Sequence, residues 1–253
     1  MQHLPFTKLG LPRKIALGNI ITIVNVYLWY SCISTILKNA IDKIYITYNE
    51  KLIFYTILLL STVISTIAGA SFINKSTSRR SFLLAWTLVG VFSSFALMLI
   101  MNATMVKIIF LIFLIGVSFG FGLPLCMAIF TDTTKEENRA RFGSIILFTM
   151  ILGAFVFKVM IPENLALSIP FLAVWRLFGF TGILLLGNFL ENRKQKHSYS
   201  MISLFRNRSV LLYLIPWTIF SIINYLSWPI NSKIHGEDFV GFSILISNIV
   251  MGI

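Results

Sequence analysis

The chain has 253 residues, of which 57% are hydrophobic and only 12% charged, and its mean hydropathy is +0.86. A soluble domain carries about 25% charged residues, so this composition excludes an ordinary water-exposed globule. The formal net charge of +12 is scattered among short segments between apolar blocks, which argues against a basic face for nucleic acid.

The apolar blocks are long and show no alternation of period two, so they predict membrane-crossing helices rather than a barrel. In chain order the spans are expected at about 15–37, 52–74, 82–101, 108–131, 142–161, 173–190 and 209–230. An eighth block begins near 239, and its residues up to Ile253 reach only about 22 Å by helical rise, short of the hydrocarbon thickness. On this reading the chain stops inside the bilayer and is a truncated product. The expected fold is all-α, a polytopic transmembrane helical bundle of seven or eight spans.

Lysines and arginines set the expected orientation. Lys8, Arg13 and Lys14 precede span one; Lys75, Arg79 and Arg80 follow span two; Lys135, Arg139 and Arg141 follow span four; Arg193, Lys194, Lys196, Arg206 and Arg208 follow span six. The remaining seven basic residues are spread over the other gaps and their flanks. The positive-inside rule then puts the N-terminus in the cytoplasm. Span one is too long for a signal peptide and lacks a small-residue cleavage site. The cysteines, Cys32 and Cys126, fall within spans, and His3, His197 and His235 have no ligand spacing. Neither a disulfide framework, a metal site nor a cofactor is expected. No nucleophile elbow, P-loop or HExxH is present, so no catalytic residues are assigned and an enzyme is not expected.

One polar stretch stands out. Residues 131–143 read TDTTKEENRARFG, between two apolar runs and just after GVSFGFGLPLCMAIF. This resembles the loop between helices four and five of the major facilitator superfamily, the twelve-helix secondary transporters, which commonly reads D-x-x-P-x-E-x-R-G/A. Asp132, Glu137, Arg139 and Ala140 fit it, and Lys135 stands where the proline would be. Residues 69–83, GASFINKSTSRRSFL, are similar to the family's G-x-L-A-D-R-x-G-R-R signature only at Ile73, Arg79 and Arg80; Ser71, Lys75 and Ser78 depart from it. AVWRLFGFTGILLL, 173–186, resembles the Trp-Arg start of the family's sixth helix. Span five has Ala154 after Gly153, where the family's drug/proton antiporters carry a proline.

The resemblance implies a permease that moves a small solute by alternating access. Arg79, Arg80, Asp132, Glu137 and Arg139 would form a charge cluster that latches the cytoplasmic side in one conformation, with Asp132 accepting from Arg79. Helices one, four and seven would line the pathway. In span one, Gly18, Thr22, Asn25, Trp29 and Cys32 share one face, and Asn25 and Trp29 are the candidate substrate contacts there. Asn224 and Tyr225 are the candidates in span seven. Each has a plainer reading as helix-packing residues, as do Gly116 and Gly120 with their GxxxG spacing. No acid lies deep within a span, so no buried carboxylate is available for proton coupling. Arg176 is interfacial if span six begins near 173, the start adopted here; a start near 165 would put it about 15 Å deep, as a candidate anion site.

The expected organisation is a six-helix half over 1–190, a central cytoplasmic loop over 191–208, and over 209–253 the first one or two helices of a second half. The expected location is the plasma membrane. The expected partners are the lipid bilayer, a small solute of unread identity, and either a missing C-terminal half or a second copy of the chain. The competing expectation is a membrane fragment without transport, or a partner protein that packs through its GxxxG face.

Overall fold

The structure, a computed structural model, describes residues 11–43, 48–73, 78–102, 104–161 and 164–191. The chain divides into two compact units, Met1–Arg193 and Lys194–Ile253, and every described residue belongs to the first. The expected spans seven and eight, with Asn224 and Tyr225, lie outside the described residues.

The described residues are helical throughout, without strands. Helix α1 runs Arg13–Lys43, α2 Tyr48–Ile73 and α3 Arg79–Ala96, the last continuing as a 3-10 segment over Leu97–Asn102. Then come α4 Met105–Gly120, α5 Leu123–Thr133, α6 Glu136–Met160, α7 Leu165–Leu186 and the single turn α8 Asn188–Glu191. Six stretches are long and apolar enough to cross a membrane: Arg13–Leu37, Ile53–Phe72, Arg79–Ile100, Met105–Thr133, Glu136–Met160 and Leu165–Leu186.

Two boundaries differ from expectation. Span four is not one helix: it breaks at Phe121–Gly122 and restarts as α5, with Pro124 in the first turn. A proline has no N–H to give the carbonyl four residues back, here that of Gly120, so the ladder is interrupted where the sequence shows only apolar residues. Span six begins at Leu165, not near 173, and ends at Leu186 rather than 190. Its first turn is capped by Asn164, whose side-chain oxygen accepts from Ala166 N–H at 2.9 Å, and the helix carries Pro170 internally. It ends at Gly187, whose φ of +40° is open to glycine and costly for other residues.

Local chemistry accounts for other ends. The Ser78 side chain accepts from Ser81 N–H at 3.2 Å and starts α3. Glu136 and Glu137 open α6 and Lys158 closes it, so acids meet the positive helix end and a base the negative one.

Packing relies on small residues. Helix α1 is central, with α7, α6 and α5 against it; α3 lies on α7 and α4, and α2 on α4. A Cβ at Gly116 would stand 1.9 Å from Ser61 Oγ, and one at Gly120 would stand 2.4 Å from the Thr62 carbonyl oxygen. Ser65 Oγ donates to the Gly116 carbonyl at 3.3 Å. The GxxxG face is therefore occupied by α2 of the same chain, and a partner through that face is corrected to an internal contact. Close approach is the route to stability where lipid removes the hydrophobic drive between helices.

The surface is apolar. Ile64, Phe92, Val106 and Val159 are 64%, 70%, 75% and 75% exposed. A soluble protein rarely exposes so continuous an apolar surface; around a bundle of spanning length it fits a multi-pass membrane protein.

Candidate functional site

Two groups of polar residues are built into this bundle. The first lies where α3 begins and α5 ends. Arg79 Nη1 donates to Asp132 Oδ2 at 2.8 Å, with the two side chains 13% and 31% exposed. Arg79 is the first residue of α3 and Asp132 the penultimate residue of α5, so the pair ties two spans together. Beside it, Asn19 Nδ2 donates to Thr133 Oγ1 at 3.0 Å, bringing α1 to the same corner. Arg139, in the first turn of α6, donates from Nη2 to the Thr131 carbonyl at 3.3 Å, and a cation there is favoured by the negative end of α5. Arg80 follows Arg79 on the first turn of α3, and Glu137 is exposed on the first turn of α6. The structure thus brings Arg79 and Asp132 into contact and sets Arg139 over the end of α5. A partly exposed pair of this kind contributes about 0–1 kcal/mol.

The second group lies in the middle of the bundle and is centred on Arg176. Because α7 starts at Leu165, Arg176 is about 16 Å along it by helical rise, and it is 1% exposed. The interfacial placement expected for it is corrected accordingly. Its Nη1 donates to Asn25 Oδ1 at 2.9 Å. Its guanidinium carbon stands 4.3 Å from the Trp86 ring centre and 5.4 Å from that of Trp29. Both lie within the range of a cation–π contact, worth about 0.5–2 kcal/mol each. Its Nε and Nη2 have no hydrogen-bond partner among the described residues.

The surroundings hold these groups in place. Asn25 Nδ2 donates to the Trp175 carbonyl, and Trp175 Nε1 donates back to the Asn25 carbonyl at 3.0 Å. Trp29 Nε1 donates to Ser94 Oγ at 2.8 Å. Trp86 Nε1 donates to the Ser118 carbonyl at 2.6 Å. Trp86 is seated by the break in span four: a Cβ at Gly122 would stand 2.0 Å from its ring. A Cβ at Gly90 would stand 2.4 Å from Arg176 Nε, and one at Gly179 2.6 Å from Asn25 Oδ1.

Asn25 and Trp29, proposed from sequence as substrate contacts, are 1% and 0% exposed and lie in the seam between α1, α3 and α7. There they are the immediate neighbours of Arg176. Two other members of the predicted face of α1 pack on α7, since Thr22 meets Gly182 and Gly18 meets Leu186. Trp86, Gly90 and Ser94 were not singled out from the sequence. Their spacing of four residues puts them on one face of α3, and that stripe was the available signal.

Energetics separate this cluster from ordinary packing. A cation at the centre of a spanning helix costs about 2.5–3.5 kcal/mol on insertion scales. Each unmade hydrogen bond to a buried donor adds about 1–3 kcal/mol. One amide bond and two aromatic faces offset part of this, and no acidic residue lies in the interior of any of the six spans. No family model matches the chain, and neither a curated protein nor a solved structure does.

Proposed function

We propose that this chain is a secondary-transporter-like membrane protein of the major facilitator kind. In this reading it lies in the plasma membrane with its N-terminus in the cytoplasm and moves a small solute by alternating access. The observation that supports the reading is the Arg79–Asp132 ion pair. It joins two stretches that independently resemble the family's cytoplasmic loops, 71–80 and 131–143. Alternating access needs an element with two discrete arrangements, and a partly exposed ion pair between two spans is cheap enough to break and remake. Arg139, over the end of α5, is the second candidate of that gate.

The test is cysteine accessibility from both sides of the membrane, with and without Asp132→Asn. The exchange removes the charge and keeps the shape, so the inward/outward population is expected to shift; Arg79→Gln is expected to shift it the same way. An unchanged pattern in both variants returns the pair to a static brace. Vesicles of purified protein, supplied with any second half, are expected to take up solute; absence of flux would leave a non-transporting membrane protein.

A further inference from the structure

We propose that Arg176 is the recognition group of a mid-membrane site for a small carboxylate. Transport enters only in making that anion the substrate; the site itself stands on geometry. The two unpartnered nitrogens, Nε and Nη2, form one edge of the guanidinium. Their N–H bonds are parallel, and that edge matches the two oxygens of a carboxylate. The third nitrogen, Nη1, is already held by Asn25, which fixes the direction in which the open edge points. Trp29 and Trp86 hold the guanidinium through their rings. Aromatic faces stabilise the cation without supplying an acceptor, so the positive charge stays available.

Two further facts narrow the ligand. First, the six spans contain no interior carboxylate, so these six offer no counter-ion at this depth. Second, Arg176 is about 15 Å from either end of α7, which is the half-thickness of the hydrocarbon core. Lipid phosphates lie beyond that distance, so a solute rather than a headgroup is the fitting anion. A groove of about 640 Å³ is lined by Phe82, Ala85, Trp86, Val89, Ser118 and Phe121. The Trp86 indole is the partition between this groove and Arg176, so its fluorescence is a reporter of occupancy.

The experiment uses the full chain in phosphatidylcholine nanodiscs, titrated with sodium acetate and, at equal ionic strength, with sodium chloride. Tryptophan emission is expected to change saturably with acetate and not with chloride. Arg176→Gln is expected to abolish the response. Arg176→Lys keeps the charge but not the fork, and is expected to weaken it about tenfold or more. Gly90→Ala, whose Cβ would press on Nε, is expected to weaken it while leaving the charge in place. If Arg176→Gln fails to elute as a folded species, the lysine and Gly90 variants decide. No acetate response from the wild type up to about 50 mM overturns the proposal. So does an equal chloride response, or wild-type affinity in the variants that fold. The measurement needs no flux. A saturable acetate response without uptake sinks transport and leaves the site. Uptake of a solute that is indifferent to Arg176→Gln, without an acetate response, sinks the site and leaves transport.

Discussion

A pair of glycine substitutions tests the packing argument most directly, because the structure gives them opposite signs. At Gly120 a Cβ would lie 2.2 Å from Ser65 Oγ, 2.4 Å from the Thr62 carbonyl oxygen and 2.8 Å from Thr66 Oγ1. A serine hydroxyl can rotate away, but the Thr62 oxygen is backbone within α2, so the two helices must separate by several tenths of an ångström. Overpacking of this kind costs about 1–3 kcal/mol, and Gly120 is the last residue of α4, where the backbone gain from alanine is small. At Gly143 the added Cβ would meet only Phe130 Cζ, at 3.9 Å, and the residue lies within α6. There alanine restricts the unfolded chain and meets no clash, so a gain of about 0.5–1 kcal/mol is expected. Reversible unfolding in mixed micelles, followed by tryptophan emission, measures both. Gly120→Ala is expected to move the midpoint down and Gly143→Ala to move it up. A Gly120→Ala protein as stable as the parent would refute the claim that close helix approach at α2 and α4 holds this bundle together, and a Gly143→Ala protein clearly weaker than the parent would refute the open space read beside Gly143 in α6.

Other expectations follow from single contacts. Trp29→Phe and Ser94→Ala each break the 2.8 Å bond between α1 and α3, so a double-mutant cycle is expected to show a coupling of about 1 kcal/mol; additive losses would mean that the bond contributes nothing beyond packing. Cys32 and Cys126 are 7% and 2% exposed, so a membrane-permeant maleimide is expected to leave both unlabelled in the folded protein and to label them after denaturation. Rapid labelling of either in the native state would contradict the placement of α1 or α5.

Much of the architecture was readable in one dimension. Apolar run length alone predicts spanning helices, because about 20 residues at 1.5 Å each cross the hydrocarbon. The charged stretch 131–143 marks the boundary between spans four and five for the same reason: six charges cannot stay in lipid. The spacing of Gly18, Thr22, Asn25 and Trp29 correctly signalled a shared face of α1, since a period of 3.6 is fixed by the helix itself. The break in span four was less legible. Pro124 was visible, but a proline near glycines can kink a helix or end it, and the seating of Trp86 against Gly122 at the break is seen only in the tertiary structure.

Arg176 shows where sequence stops. Its depth depends on where α7 begins, and that is decided by the cap at Asn164 and by continuation through Pro170, in a stretch from Leu165 to Trp175 that is largely apolar around the start near 173. Its neighbours come from two helices far from α7 in the chain: Asn25 and Trp29 from α1, Trp86 and Gly90 from α3. Local periodicity can say that each belongs to a face, because that depends on one helix's own geometry. Which faces meet depends on how ridges, small residues and side chains fit when the helices pack, and that fit placed a cation with no ion-pair partner among the described residues against two indoles at the centre of the bundle.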